Sequence, residues 1–244
     1  MASRIRLFVD QDLQLAGELE ILAGQLHYLK NVMRLGPGDS IALFNGRDGE
    51  FLAEIIEIKK KIMQVRLTEQ TREQISEPDL WLLFAPVKKS RIDMIAEKAT
   101  ELGAAKLLPV MTDHTHIERV KIDRLRANAI EAAEQCRRLT VPEVIEPQPL
   151  NRVLDGWDPV RRLLVMDETS AEANNGAKMS ELKSNGPSDA ILIGPEGGFS
   201  ASELDLLDKL PFVTKVSLGG RILRAETAAV VALALWNELV APKI

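Results

Sequence analysis

The chain has 244 residues, 45% of them hydrophobic and 27% charged, which is the composition of a soluble globular protein with one large domain or two smaller ones. Its 31 Lys and Arg against 36 Asp and Glu give a net charge of −5, which argues mildly against a nucleic-acid partner. No apolar run reaches the roughly 20 residues of a membrane span, and the N-terminus lacks an apolar signal-peptide core. The single cysteine, Cys136, excludes an intrachain disulfide, so we expect a cytoplasmic protein.

Residues 1–70 carry the patterns of short strands and one helix. From Ile5 to Val9, apolar residues alternate with polar ones, as in a half-buried strand. Residues 24–34 place their apolar side chains at helical spacing, and two apolar runs flank the turn at residues 46–49, which indicates a β-hairpin. A helix together with several short strands predicts a small barrel-like β domain over residues 1–70.

After a polar stretch at residues 71–79, which we interpret as a linker, the pattern changes to alternating strands and helices. Short apolar strands are predicted at 80–85, 106–111, 163–166, 190–193 and 213–218, and helices at 92–102, 122–139, 200–210 and 227–240. Such alternation predicts a mostly parallel sheet covered by helices on both faces, so residues 80–244 are expected to form an α/β domain.

A glycine-rich loop, GPEGGFSASE, follows the predicted strand at 190–193. Its glycines permit positive φ angles and a close approach of a ligand to the backbone. Ser200 and Glu203 form the S-x-x-E pattern of a capping box at the start of the next helix. No Lys-Ser or Lys-Thr pair follows the glycines, so the loop is not a phosphate-binding P-loop, and the alternative is a tight turn without a ligand.

A second loop, LGGRILRAETA, follows the strand at 213–218. It places an apolar Ile-Leu pair between Arg221 and Arg224, and Glu226 lies in the first turn of the next helix, where the helix dipole favours an acid. The alternative interpretation is that the arginines are ordinary surface charges and that the apolar pair returns the chain to the core. Because both loops follow strands of one expected sheet, we predict a shared ligand site at the sheet edge.

The remaining motifs are weaker. The helix segments KATELG and AAEQCRR are also compatible with ordinary amphipathic helices, and Cys136 is expected to be a small buried residue. His114 and His116 form an isolated H-x-H, from which we expect no metal site. Residues 86–140 hold eleven Lys and Arg against eight Asp and Glu, so this segment is the better candidate for a phosphate-contacting face.

Taken together, GPEGGFS, LGGRILRAETA, KATELG and AAEQCRR resemble the bacterial 16S ribosomal RNA (uracil-N3) methyltransferases, a family of the knotted SPOUT superfamily. The segments HYLKNVMRLGPGD and FNGRDGEFLAEI are similar to the RNA-binding, PUA-like barrel of that family. The resemblance covers nearly the whole chain, in order. Two positions depart from it: Gly220 stands where the family commonly has proline, and Ala225 where it often has threonine.

The resemblance implies a deep trefoil knot in the C-terminal domain, a homodimer, and S-adenosylmethionine as the methyl donor bound in the knot. The implied substrate is a uridine of small-subunit ribosomal RNA, or of the assembled small subunit. The residues implied to bind the cofactor come from three strand ends, namely Met166, Gly194, Pro195, Glu196, Gly197, Gly198, Leu218, Gly219, Ile222, Leu223 and Arg224.

The reaction at uracil N3 also assigns roles to charged residues. Loss of the N3 proton leaves negative charge on the base, which Arg224 would stabilise, while Glu226 or Glu196 would accept the proton. We expect the RNA contacts to be basic side chains of both domains, namely Arg4, Arg6, Lys30, Arg34, Arg47, Lys88, Lys89, Arg91 and Arg138.

Three alternatives stay open at the level of sequence. One is a ribose 2′-O-methyltransferase of the same superfamily that acts on tRNA or ribosomal RNA, against which KATELG and AAEQCRR count. Another is a non-catalytic RNA-binding assembly factor, against which the retained charges count. The third is a nucleotide-dependent α/β enzyme with an unrelated cofactor, which the absence of either phosphate-loop pattern disfavours.

Overall fold

The computed structural model describes residues 5–117, 119–167, 176–186 and 188–242, and the side chains of Ala23 and Lys89 are outside the description. The chain forms two compact units. The first contains the residues up to Ser76 together with Ala133–Val141, and the second contains Glu77–Ala132 and the residues from Pro142 onward. None of the described helices is long and apolar enough to cross a membrane.

The first unit is built on a mainly antiparallel five-stranded sheet. Its strands are β1 (Arg6–Phe8), β2 (Glu18–Leu22), β3 (Ser40–Phe44), β4 (Glu50–Ile58) and β5 (Ile62–Arg72). They are ordered β1-β3-β4-β5-β2, and only the β1–β3 pair is parallel. A short helix, α1 (Ala23–His27), continues into a π-helical turn at Tyr28–Val32. The predicted helix and the predicted hairpin between β3 and β4 are therefore confirmed.

The period-two pattern of β4 and β5 decides which face of this sheet is buried. In β4 the buried Ala53 and Ile55 alternate with exposed Glu54 and Ile56. Because successive side chains of a strand point to opposite faces, one face of the sheet packs on a core and the other faces solvent. The core side chains share the inner face and include Ile41, Leu43, Phe51, Ala53, Ile55, Met63, Val65 and Leu67.

The second unit contains a parallel sheet. Its strands are β6 (Trp81–Phe84), β7 (Lys106–Met111), β8 (Glu143–Val144), β9 (Gln148–Pro149), β10 (Arg162–Met166), β11 (Ala177–Lys178), β12 (Asp189–Ile193) and β13 (Val213–Ser217). The order is β11-β13-β10-β12-β6-β7-β8, with β9 beside β7, and every described pair is parallel.

Helices cover both faces of this sheet, as predicted. They are α2 (Lys89–Glu101), α3 (Ile122–Cys136), α4 (Leu150–Asp155), α5 (Ala201–Leu207) and α6 (Ala225–Leu239). In β12, Ile191 and Ile193 face the core formed with α2 and α6, whereas Ala190 and Leu192 face the core formed with α4 and α5. Strands buried on both faces have continuous apolar sequences, which is why the sequence predicts them well. The trefoil knot stays a prediction.

Buried charge fixes the amino-terminal edge of the sheet. Asp189, at the start of β12, is fully buried and accepts hydrogen bonds from Arg162 Nη2 at 2.7 Å and Trp236 Nε1 at 2.8 Å. Arg162 begins β10, and Trp236 lies on α6. Since a buried carboxylate is tolerated only when it is paired and hydrogen-bonded, this network holds two strands and the last helix in one arrangement. The carboxyl ends of the same strands then meet at the opposite edge.

The last residues of α3 belong to the first unit because of a buried arginine. Arg6 donates to Glu50 Oε2 at 2.6 Å and to the carbonyl oxygens of Ala133 at 2.7 Å and Arg138 at 2.8 Å. Carbonyl groups at a helix C-terminus lack partners within the helix, and the guanidinium supplies them. Cys136, the last residue of α3, is exposed, so the prediction of a buried cysteine was wrong. It lies beyond the buried Ala133, where the helix has left its packing surface.

Candidate active site

A cleft opens at the carboxyl edge of the parallel sheet, where β10, β12 and β13 end together. Met166 of β10 is in register with Ile193 of β12 and Val216 of β13. The loops that follow β12 and β13 therefore come side by side, and both line the cleft, which is partly open to solvent. Its lining is Met166, Asp167, Ile193, Gly194, Pro195, Glu196, Gly197, Gly198, Phe199, Leu204, Val216, Leu218, Gly219, Arg221, Leu223, Ala225 and Ala228.

The first loop requires glycine at particular positions. A Cβ atom at Gly194 would lie 3.0 Å from the ring of Phe199, and Gly198 has a φ of +68°. The amide of Gly198 donates to the carbonyl oxygen of Pro195 at 3.0 Å, which closes a turn. The predicted capping box is present, with Ser200 N donating to Glu203 Oε2 at 2.8 Å and Glu203 N donating to Ser200 Oγ at 3.2 Å. The loop thus enters α5 in a fixed conformation.

Two residues after β7, Asp113 and His114, form hydrogen bonds that hold this loop and the start of α5 in place. Asp113 accepts a hydrogen bond from Ser200 Oγ at 2.6 Å, and its amide donates to Glu203 Oε1 at 2.9 Å. His114 Nδ1 lies 3.1 Å from the carbonyl oxygen of Gly197 and 3.0 Å from that of Gly198. Carbonyl oxygens only accept hydrogen bonds, so Nδ1 carries a proton and donates. The isolated His114 of the sequence is therefore a support of the glycine loop.

The second loop contributes backbone and apolar side chains. Gly219 has a φ of +109°, and its amide donates to Ser217 Oγ at 3.3 Å. Leu223 faces the cleft, which is the position expected of an apolar wall. Two residues expected to bind the cofactor are not part of the lining: Ile222 is 73% exposed, and Arg224 is exposed at the N-cap of α6.

The charged residues of the site meet at Arg91, near the start of α2. Its Nη1 donates to Glu196 Oε1 at 2.8 Å, and its Nε lies 3.5 Å from Glu226 Oε1. Glu196 belongs to the first loop and lines the cleft. Glu226 belongs to α6 and is buried, and its Oε2 has no hydrogen-bond partner among the described residues. The guanidinium of Arg91 therefore connects the first loop, which contains Glu196, with α6, which follows the second loop and contains Glu226.

Sequence reasoning missed part of the lining. Asp167 directly follows β10, is 6% exposed, and lies 3.8 Å from Lys215 Nζ. Its position after a strand end is the signal that would have found it, since ligand groups concentrate there in parallel sheets. Arg221 and Phe199 also line the cleft, and nothing in the local sequence pattern distinguishes them from surface charge and core.

The residues expected to contact RNA fall into different environments. Lys30, Arg34 and Lys88 are exposed, and Arg47 is exposed while donating to Asp12 Oδ1 at 3.0 Å. Arg4 and the side chain of Lys89 lie outside the described residues. Arg6 and Arg138 are buried. A phosphate would reach Arg6 only by displacing Glu50 and the carbonyl groups, so we leave Arg6 and Arg138 out of the RNA face proposed below.

The cleft combines an apolar floor with main-chain groups at its rim. Val216, Leu223 and Ala228 supply surface for a flat heterocycle, and the glycine loops expose peptide groups that can hydrogen-bond its polar edge. Both carboxylates of the lining have a cation nearby, since Arg91 pairs with Glu196 and Lys215 lies 3.8 Å from Asp167. The lining itself contains one cationic side chain, Arg221, so an organic ligand suits it better than a free polyphosphate.

Comparisons with known proteins agree with this geometry. Residues 75–237 match the family model described as RNA methyltransferase domain, and residues 23–68 match the RNA methyltransferase PUA domain. Ribosomal RNA small subunit methyltransferase E of Rickettsia conorii is 36% identical over 230 residues, covering 94% of this chain and 93% of the relative. The protein of the same name from Synechocystis is 32% identical, covering 96% of this chain and 77% of the relative.

Solved structures resemble the whole chain as well. A ribosomal RNA small subunit methyltransferase E from Neisseria gonorrhoeae, bound to S-adenosylmethionine, superposes with a TM-score of 0.88 at 26% identity, covering 97% of this chain and 98% of the other. A methyltransferase from Legionella pneumophila in complex with the same cofactor has a TM-score of 0.86 at 28% identity, and both chains are covered completely.

Proposed function

Because this chain belongs to the ribosomal RNA small subunit methyltransferase E family, we propose that it transfers a methyl group from S-adenosylmethionine to N3 of a uridine in small-subunit ribosomal RNA. The observation that carries the proposal is the cleft itself, in which two glycine loops and three strand ends form one ligand site next to Glu196. The family resemblance further suggests a cytoplasmic homodimer. Sedimentation equilibrium would detect such a dimer.

The residues of the cleft fit S-adenosylmethionine. The apolar floor accommodates adenine, the rim offers peptide groups to its polar edge, and the carboxylate of Asp167 suits a positive group of the cofactor. When bound, the cofactor supplies a methyl group on a cationic sulfonium, which becomes a neutral thioether after transfer.

The chain's own residues must handle the N3 proton and the charge that its loss creates. Glu196 is the better of the two acceptor candidates, because it lines the cleft and is half exposed, whereas Glu226 is buried against Arg91. Glu196 would take the proton directly or through a water molecule. Arg224, exposed at the N-cap of α6, would then stabilise negative charge on the uracil oxygens or hold a neighbouring phosphate.

Replacement of this arginine tests its role. Arg224→Ala should lower the turnover of methyl transfer by about 10²-fold, since loss of one charge-stabilising donor typically has an effect of this size. The dissociation constant for S-adenosylmethionine, measured by calorimetry, should change little, because the side chain is not part of the cleft lining. Normal turnover together with normal cofactor affinity would rule out the assignment.

The first unit supports RNA binding through a patch around its π-helical turn. Residues 21–38 contain Lys30 and Arg34 and no Asp or Glu. Tyr28, the single tyrosine of the chain, is 39% exposed, and the apolar Val32, four residues further along, is 60% exposed. An exposed aromatic ring close to basic residues, as Tyr28 is to Lys30 and Arg34 along the chain, is typical of surfaces that stack unpaired bases and neutralise phosphates. A uridine whose pairing edge reacts must be unstacked, so unpaired RNA is expected here.

Two kinds of variant should affect RNA affinity differently. Tyr28→Ala should weaken binding by about 5- to 100-fold at any salt concentration, because stacking does not depend on counterion release. Lys30→Gln with Arg34→Gln should instead reduce the slope of log K against log salt by roughly 1.4, for two lost phosphate contacts on single-stranded RNA. Fluorescence anisotropy measures both, with Lys59→Gln, an exposed lysine paired with Glu57, as the control. Unchanged affinity in all three variants would locate the RNA elsewhere.

The reaction is tested by supplying labelled S-adenosylmethionine with unmethylated small ribosomal subunits, naked ribosomal RNA or tRNA. Mass spectrometry of the digested product should identify N3-methyluridine from small-subunit RNA. A ribose-methylated nucleoside, or label in tRNA, would replace the proposal by a 2′-O-methyltransferase. Cofactor binding without transfer to any of the three RNAs would favour a non-catalytic assembly factor.

A further inference from the structure

We propose that Arg91 is a positioning residue that orients the carboxylate of Glu196, and that Glu226 is its buried anchor. The inference deepens the proposed function, because it rests on Glu196 being the group that accepts the N3 proton. It assigns Arg91 to the support of the cleft, through its ion pairs with Glu196 and Glu226, instead of to the RNA phosphates.

The three side chains become more exposed to solvent from Glu226 through Arg91 to Glu196. The side chain of Glu226 is 9% exposed, that of Arg91 is 29% exposed, and that of Glu196 is 46% exposed. Arg91 donates to Glu196 at 2.8 Å and lies 3.5 Å from Glu226. The ion pair therefore begins in the interior and ends at the cleft. The described residues include no second hydrogen-bond partner for Glu196, so the bond from Arg91 is what restrains its carboxylate.

Glu226 holds Arg91 because its own charge has little else to interact with. It lies in the first turn of α6, where the helix dipole favours an acid, but its Oε2 is buried without a partner among the residues that the structure describes. A buried carboxylate with one unpaired oxygen is costly, and the guanidinium is the cation that offsets that cost. Movement of Arg91 toward solvent is correspondingly unfavourable.

The backbone of Arg91 is fixed from the other side of α2. Asp93, two residues further along, accepts hydrogen bonds from Arg124 Nε at 2.7 Å and Nη2 at 2.6 Å, and from Asn128 Nδ2 at 2.9 Å. These donors lie on α3 and hold α2 at its second turn, directly after the turn that contains Arg91. Arginine is required at position 91 because its planar fork can meet two carboxylates at once, whereas the ammonium group of lysine is a compact point charge.

The consequence is a link between the two loops of the cleft. Glu196 follows β12, and Glu226 follows β13, so a single guanidinium sets the distance between a catalytic carboxylate and the start of α6. Misplacement of a catalytic group by about 1 Å can lower a rate about 100-fold, so orientation of this kind matters for turnover.

The test is a double-mutant cycle between Arg91 and Glu196. Arg91→Lys keeps the charge and should lower turnover by about 10- to 100-fold, with the dissociation constant for S-adenosylmethionine and the melting temperature close to those of the wild type. In the background of Glu196→Gln, Arg91→Lys should have no further effect, because Arg91 acts through Glu196. An equal loss in both backgrounds would mean a merely structural role and would overturn the proposal.

Two further variants sharpen the result. Glu226→Gln removes the anchor and should lower turnover as much as Arg91→Lys does. If Glu226→Gln lowered turnover at least about tenfold more than Arg91→Lys, Glu226 itself would be the proton acceptor and the proposal would be wrong. The matched control is Lys98→Gln, which removes a cation that also bridges two carboxylates of α2, Glu97 and Glu101, each at 2.8 Å, and which should leave turnover unchanged.

The cycle is measured on whichever nucleoside the wild type methylates. A ribose-methylated product would therefore overturn the uracil assignment. The double-mutant cycle would still measure the coupling between Arg91 and Glu196. Formation of N3-methyluridine without that coupling would leave the proposed function in place and overturn the role of Arg91 alone.

Discussion

Glu196→Gln should lower the turnover of methyl transfer by about 10²- to 10⁴-fold, which is the usual contribution of a positioned general base. The amide has the same shape as the carboxylate and keeps an oxygen for Arg91, but it cannot accept the N3 proton at neutral pH. Because the cleft is lined mainly by backbone and apolar groups, the affinity for S-adenosylmethionine should fall by much less than turnover does.

The measurement is single-turnover methyl transfer, paired with calorimetric titration of the cofactor. Glu143→Gln is the control, since Glu143 is an exposed carboxylate of the same unit, is paired with Lys106 at 2.9 Å, and lies outside the cleft lining. Turnover of Glu196→Gln within about threefold of the wild type would remove Glu196 as the acceptor. A parallel collapse of cofactor affinity would mean that the carboxylate binds the cofactor instead of the proton.

Gly49→Ala should destabilise the first unit by about 3–5 kcal/mol, the largest effect on stability expected here. Gly49 has a φ of +90°, and a Cβ atom there would lie 2.2 Å from the carbonyl oxygen of Arg72 and 3.0 Å from the amide nitrogen of Gln74. These are backbone atoms at the end of β5, so they cannot rotate away as a side chain would. The substitution must separate β4 from β5 at this point.

Gly38→Ala is the matched control for this prediction. Gly38 also has a φ of +90°, but a Cβ atom there would meet nothing within 4 Å. It should lower the free energy of unfolding by only about 1–2 kcal/mol, the cost of left-handed backbone for an L-residue. Equal effects of the two substitutions would show that backbone strain, and not the clash with β5, is responsible.

The readout must report on the first unit. All three tryptophans, Trp81, Trp157 and Trp236, belong to the second unit, so their fluorescence would follow the wrong transition. Amide hydrogen exchange across β4 and β5 measures the opening free energy of the affected strands directly. Gly49→Ala should speed exchange there at least about 100-fold, and the amides of β12 provide an internal reference.

The elements were predictable because each depends on a local period. Ala190–Ile193 and Leu163–Met166 are continuous apolar runs, and such runs bounded by turns form strands buried on both faces. Gly103, with a φ of +85°, follows the end of α2, which lies within one residue of the predicted helix end at 102. The two glycine loops could be assigned to one site because parallel strands present their carboxyl ends at one edge.

The family resemblance extended these local patterns to a function, since it depends on several motifs in order along the chain. It could not say which charged residue does what. Glu196 and Glu226 are equal candidates for the proton acceptor in the sequence, and the structure buries Glu226 and places Glu196 in the cleft. Burial depends on the packing of α6 against α2, which no single segment encodes.

Sequence by itself therefore determined the two-part fold class, most of the strands and helices, and the two loops that line the cleft. Only the tertiary structure decided which charges meet: Arg6 with the end of α3, His114 with the carbonyl groups of the glycine loop, and Arg91 with two glutamates. The physical reason is range. Side-chain periodicity and turn chemistry act over a few residues, whereas the partner of a buried charge is set by chain segments up to 135 residues apart, as Arg91 and Glu226 are.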